Sequence, residues 1–402
     1  MAFKISTYNK NHTTKYGEPY LWGSGDVTTL PSNETKITAS DGAADDSFGG
    51  SVAVGCGRIV VGAYQDDDNG SASGSAYIFD LDGNQLTKIT ASDGVLNDFF
   101  GESVAIGSGR IVVGAYGDDD NGSQSGSAYI FDLDGTQLAK ITASDGDTQD
   151  RFGGSVAVGC GRIVVGAEQN SDNGSYTGSA YIFDLDGTQL AKIMPSDAAG
   201  GKLFGRSVAV GSGRIVVGAS GDSTAYIFDL DGTQLAKITA SDGPTNNFFG
   251  NSVAVGNGRI VVGADDDDDN GSNSGAAYIF DINGTQLAKI TASDGADGDR
   301  FGEAVAVGNG RIVVGAWADD DNASASGSAY VFDLDGNQLA KITASDGDVA
   351  DLFSKSAVAI GNGRIVVGAY QDDVGANENQ GSAYIYETPR VYTPYDLIYN
   401  EV

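Results

Sequence analysis

The chain has 402 residues, a formal net charge of -32 and 60 glycines, but only two cysteines, two tryptophans and one histidine. A charge of that sign and size opposes nucleic acid and anionic membranes, which bind through clustered Lys and Arg, and leaves cationic partners, metal ions and neutral glycans open. A hydrophobic content of 40% supports a sizeable core, and no apolar run approaches the ~18 residues of a membrane span, so a folded chain without membrane insertion is expected.

Residues 1–34 carry Lys4, Lys10 and Lys15 beside Tyr8, Tyr16, Tyr20 and Trp22. They hold no apolar signal-peptide region, so synthesis in a cytoplasm without a Sec-type signal is expected. The far end, residues 388–402, contains the tyrosine-rich "PRVYTPYDLIYNEV". Aromatic, weakly basic arms on an acidic body read as docking segments for other proteins of an assembly.

Between the arms, over residues 35–387, one unit recurs. Its marker is Phe48-Gly49, then Phe100-Gly101, Phe152-Gly153, Phe204-Gly205, Phe249-Gly250, Phe301-Gly302 and Phe353-Ser354, at intervals of 52, 52, 52, 45, 52 and 52 residues. Each copy holds four short alternating or β-branched runs, such as Ser51 to Gly55, Arg58 to Tyr64, Ser75 to Asp80 and Gln85 to Ser92, which we name strands A to D. The A-to-B link is "GNGR" or a variant and the C-to-D link "DLDGT" or "DLDGN", both tight-hairpin chemistry. Cys56 and Cys160 occupy the same A-to-B turn position in two non-neighbouring copies and read as tolerated small residues rather than a disulfide.

Seven four-stranded antiparallel units without helical pattern between them predict an all-β, seven-bladed β-propeller. The chain ends argue for closure: the last copy stops after its C strand at Gly381 to Glu387, while an orphan D strand, "TKITASDG", stands at residues 35–42. The N-terminal strand is therefore expected to join the last blade and close the ring, which leaves no end to cap.

Phe-Gly at the entry to strand A and Gly-Ala at the end of strand B (Gly62-Ala63, Gly114-Ala115 and their equivalents) resemble the FG-GAP repeat family, which includes the propellers of integrin α chains and of bacterial surface proteins. "DDDNGS" after strand B and "TASDG" after strand D bring it nearest the bacterial variety. The third residue of the family's Gly-Ala-Pro is here Tyr, Glu, Ser, Asp or Trp, which we read as a minor departure. The A-to-B turn lacks the acidic calcium loop of integrin-like blades, so calcium is not carried over to that position.

In a meander blade the B-to-C loop and the D-to-A crossover share one rim. That rim collects Asp66, Asp67, Asp68, Asp118, Asp119, Asp120, Asp265 to Asp269 (with Asp267, Asp268 and Asp269 in the repeated positions), Asp319, Asp320, Asp321, Asp372 and Asp373. Crossover carboxylates, including Asp41, Asp45, Asp46, Asp98, Asp147, Asp150, Asp299 and Asp351, lie on the same side. The opposite rim carries one Arg per blade facing "DLDG" turns, so one rim is expected to be strongly negative and the other balanced. The aspartates read first as solvated turn formers, and second as oxygen ligands for a divalent cation such as calcium, although their spacing does not match a D-x-D-x-D-G loop. No metal site or cofactor is otherwise expected. Lys36, Lys88 and their equivalents on the outer D strands read as guards against edge pairing.

Catalysis has little support. His12 lies outside the repeats, no nucleophile motif is present, and near-identical blades spread carboxylates with pseudo-symmetry rather than converging two on one bond. A rigid disc with seven similar blades suits recognition of repeated ligands or packing into an assembly. Members of the resembled family usually work outside cells. The expectation is a bacteriophage virion protein, as capsid or tail decoration or in host recognition of a surface glycan or protein. A bacterial extracellular adhesin is the alternative, and a polysaccharide-acting enzyme a more remote one.

Overall fold

The computed structural model describes residues 34–243 and 247–388. The strands form seven four-stranded antiparallel sheets. In blade 1 they are A (Phe48–Gly55), B (Arg58–Ala63), C (Ser75–Phe79) and D (Gln85–Ile89). Blade 7 is assembled from both ends of the described chain: A (Val358–Gly361), B (Arg364–Ala369), C (Ser382–Glu387) and, as D, Glu34–Ile37, which pairs antiparallel with Ala383 to Tyr386. The closing strand is shorter than the orphan run because its backbone leaves the ladder after Ile37, and Thr38 to Gly42 become crossover. The A strands of successive blades touch all the way round, including blade 7 against blade 1, so the ring is closed.

Strand B of every blade, RIVVGA, is buried from its second residue onward, and strand C is buried over its first five residues. These inner strands bury both faces because another blade packs on each side, which is why they read as continuous apolar runs. Strand D alternates instead, with Leu86, Leu138, Leu190, Leu235 and Leu287 about half exposed on the circumference. The A-to-B turns place both central residues at positive φ, as in Cys56 (φ 50) and Gly57 (φ 76), the two-residue geometry that matches the twist of antiparallel strands. Cys56 and Cys160 are free thiols.

The phenylalanines wedge between blades. Phe48 is fully buried, edge-on to Tyr77 (centroids 5.4 Å apart) and Phe79 (5.9 Å), in a cluster that also takes Val366, Ala383 and Ile385 from blade 7. The glycines of both sequence markers serve the same junction. A Cβ on Gly62 would overlap the carbonyl oxygen of Gly101 in the next blade, and Gly49 sits at φ +94 against the backbone of Ser382. Where Ser354 replaces the glycine of blade 7, it keeps positive φ (73), and its hydroxyl donates to the Ser328 carbonyl (2.6 Å) and accepts from the Ala316 amide (3.1 Å).

Candidate functional site

Both rims have the expected composition. On one, the Arg of a blade spans to the C-to-D turn of the following blade, except Arg311, because blade 7 has no such turn: Arg110 Nε donates to the Leu185 carbonyl (3.1 Å) with Asp186 at 3.4 Å, and Arg364 repeats this across the ring closure to Leu81 and Asp82. On the other, crossovers hydrogen-bond to the B-to-C loop of the preceding blade, as where the Phe100 amide donates to the Ser73 carbonyl.

The three aspartates of each loop do three different things, shown by blade 2. Asp118 is almost wholly buried; its carboxylate accepts from the Asp120 amide and from Tyr129 Oη (3.0 Å). Asp119 accepts from the Gln124 amide (2.6 Å) and shapes the loop. Asp120, well exposed, reaches back to Lys140 Nζ (2.6 Å). That ammonium also contacts Asp118 (2.7 Å) and Asp93 of the preceding crossover (2.8 Å), and it stands 5.3 Å from the Tyr129 ring centroid. The arrangement recurs with Asp66, Asp67, Asp68, Lys88 and Asp41, with Asp267, Asp268, Asp269, Lys289 and Asp242, and with Asp319, Asp321, Lys341 and Asp294. Asp320 belongs to the same loop and borders the Asp299 carboxyl.

This corrects two expectations. The loop aspartates are not uniformly solvated turn formers, because the first of each triplet is buried. The D-strand lysines do more than guard an edge: Lys140 is the counter-ion of the loop. The carboxylate oxygens of Asp93, Asp118 and Asp120 lie within 4.8 Å of one another, a spacing suited to a metal ion, and the Lys140 ammonium contacts all three. Burial works against the charged ammonium, but its hydrogen bonds to Asp118 and Asp120 outweigh this and hold the lysine above its usual range. Asp93, partly desolvated, is nevertheless held below the usual carboxylate range by Lys140 and Tyr129. The acidic rim is therefore less negative than its aspartates alone imply. Two blades vary the theme. Asn170 stands where blade 3 would have its buried aspartate, and in blade 4 the short turn Ser220–Asp222 recruits a second lysine, Lys202, paired with Asp222.

The unrepeated residues gather elsewhere, where the axial channel opens on the acidic rim. A cavity of about 410 Å³ is lined by the first residues of all seven A strands. Two columns of the repeat supply side chains to this mouth. Two residues after each phenylalanine stand Gly50, Glu102, Gly154, Arg206, Asn251, Glu303 and Lys355; directly after Gly-Ala stand Tyr64, Tyr116, Glu168, Ser220, Asp265, Trp317 and Tyr370. The second column is the one read above as a minor departure from Gly-Ala-Pro, and its Tyr64 and Tyr370 line this cavity. A smaller adjoining cavity of about 100 Å³ is lined by Glu102, Tyr116, Arg151, Glu168 and Arg206 with two glycines.

Most charges at the mouth are matched. Arg206 binds Glu168 (3.1 Å) and Asn251 (3.3 Å), Arg151 lies 3.6 Å from Glu168 and over the Tyr116 ring, and Arg300 pairs with Asp265 and Asp266. Lys355 sits 4.5 Å above the Trp317 ring. Asn251 joins Glu303 (3.1 Å) and Asp265 (3.4 Å), whose carboxyls also hydrogen-bond each other; burial and the Glu303 charge push Asp265 up. Carboxyls thus do converge here, against the pseudo-symmetry expected. The proposed docking residues Lys4, Tyr8, Lys10, Lys15, Tyr16, Tyr20 and Trp22 lie outside the described residues, as do residues 389–402.

The FG-GAP repeat model matches residues 31–79, 84–131, 136–183, 188–228, 233–280, 285–332 and 337–386, and the chain belongs to that family. Each match runs from an outer D strand to the next C strand, so the sequence repeat is offset from the structural blade by one strand, as ring closure requires. No curated protein matches the chain. The propeller is of a type that ordinarily recognises rather than catalyses, and among the described residues no helix is long and apolar enough to cross a membrane.

Proposed function

We propose that the chain is a recognition propeller, and in particular a bacteriophage virion protein that decorates capsid or tail or takes part in host recognition. The observation that carries the recognition reading is the contrast between blades and mouth: lysine clusters, phenylalanine wedges and turns repeat almost unchanged, while the positions around the axial opening differ from blade to blade. A scaffold held constant around one divergent concave surface is what binding a single ligand requires. The aromatic, weakly basic residues 1–34 and the tyrosine-rich residues 388–402 support docking to other virion or assembly proteins, with exposure outside the cell after cytoplasmic synthesis. A bacterial extracellular adhesin that takes a surface glycan or protein is the alternative.

Two measurements test the proposal. Proteomic analysis of purified particles is expected to find the chain at stoichiometric abundance; its absence there with presence on a bacterial surface favours the adhesin. The labelled full chain is expected to bind host cells, and Trp317→Ala with Tyr370→Ala to abolish that binding without changing the melting temperature. Binding that ignores the mouth, or turnover of a surface polysaccharide, would overturn the reading.

A further inference from the structure

We propose that the axial mouth binds its ligand through a primary ammonium group, with Glu102 as the counter-charge and Tyr64, Tyr116 and Tyr370 as the wall around it. The inference deepens the recognition reading and rests on it.

Among the carboxylates of the mouth Glu102 stands apart: Glu168, Asp265 and Glu303 each have a polar partner, while the Lys355 ammonium rests on an aromatic ring. Glu102 lines both cavities, yet no hydrogen bond or ion pair to its carboxylate is present among the described residues. Burial pushes its carboxyl up; Arg206 and Arg151 oppose this from a distance, and Glu168 adds to it. Three phenols feel its charge in turn: Tyr64, pushed up to about 12 first by burial and then by Glu102, and Tyr116 and Tyr370, raised by the same two causes. Tyr64 and Tyr370 are 6.4 Å apart between ring centroids, and Tyr116 stacks on Phe99 at 5.1 Å, so the wall is fixed.

A carboxylate with no ion pair to give up is free to take one from an entering cation, and a concave mouth that closes around the ligand strengthens that pair. Aromatic faces add attraction for the same charge. The serines behind the mouth are already engaged, since Ser51 and Ser103 donate their hydroxyl protons to the carbonyls of Gly101 and Gly153 in the next blade. An anionic ligand would meet the Glu102 charge with Arg206 and Arg151 already engaged by Glu168, and a neutral one would leave Glu102 unpaired. The mouth therefore selects a compact amine, and about 410 Å³ accommodates a body the size of an amino sugar or a short polyamine. Both present the same ammonium, and the test separates them.

The test is calorimetric titration of the full chain at neutral pH with glucosamine, spermidine, N-acetylglucosamine and glucuronate. An amine is expected to bind, and N-acetylation to weaken binding about ten- to a hundredfold, the range for losing one charge-assisted hydrogen bond. Glu102→Gln is expected to lose as much for the amine while its urea midpoint does not fall, and Leu138→Ser, on the circumference, to bind as the parent does. Preference between glucosamine and spermidine identifies the body that carries the ammonium. The inference is overturned if the acetylated sugar binds as well as the amine, if Glu102→Gln binds unchanged, or if no amine binds. Should host-cell binding through the mouth persist in any of those cases, recognition stands and only the ammonium assignment falls.

Discussion

Replacing Lys140 by Met removes one ammonium and leaves the Asp93, Asp118 and Asp120 carboxylates within 4.8 Å of one another. At an effective dielectric of about 20, each such pair repels by about 3 kcal/mol. Protonation, water entry and rotation of the exposed Asp93 and Asp120 relieve most of this, so the expected loss is about 3 kcal/mol, the low end for breaking a buried pair with one partner left behind. An unfolding entropy of about 2.1 cal/mol/K per residue over roughly 350 folded residues converts this to a fall of about 4 °C in Tm. The variant also gains what the parent lacks, three clustered oxygens with no cation of their own. Thermal melts with and without millimolar calcium are expected to show calcium raising the Tm of Lys140→Met by several degrees more than that of the parent. Lys140→Met with Asp118→Asn is expected to recover about half the loss and most of the calcium insensitivity. Equal calcium shifts in parent and Lys140→Met would refute the argument that the lysine fills the cation position.

The remaining predictions concern blade contacts, pH and closure. Gly114→Ala forces a Cβ into the Gly153 carbonyl and is expected to cost more than about 4 kcal/mol, whereas Gly109→Ala, with open space but φ +77, costs about 1 kcal/mol; urea midpoints of the two variants check the contrast. Burial, reinforced by Asp66, Asp118 and Asp372 respectively, raises Asp46, Asp98 and Asp351 to about 6. The fold binds these protons more tightly than the unfolded chain does, so their contribution is favourable below the unfolded value of 3.8 and is lost as pH rises through about 6. The urea midpoint is expected to rise from pH 7.5 to pH 5, with a shallower slope in Asp98→Asn; a flat profile in the parent would refute this. Removal of residues 1–37 takes the Glu34–Ser345 and Lys36–Asp346 contacts and leaves the C strand of blade 7 as a bare edge. Size-exclusion chromatography is expected to show oligomers, and a monomer with the parent's midpoint would count against closure.

Period and pattern in the sequence determined the architecture: the Phe-Gly marker, four alternating runs per copy and an orphan outer strand at one end dictate seven blades and a ring that its own terminus completes. Local chemistry was legible too, since turn residues and apolar alternation act over a few positions and need no tertiary partner. The roles of charged residues were decided elsewhere. Lys140 meets Asp120, 20 residues away, only when the outer strands of its blade pair, and Asp93, 47 residues away, only when the crossover from the preceding blade is in place, so the acidic loops looked unpaired in the sequence. Tyr64, Glu102, Trp317 and Tyr370 looked like scattered substitutions because their shared property, position around one axis, exists only after closure. Repetition made the scaffold easy to read, and for the same physical reason the departures from repetition acquired meaning only where the fold brought them together.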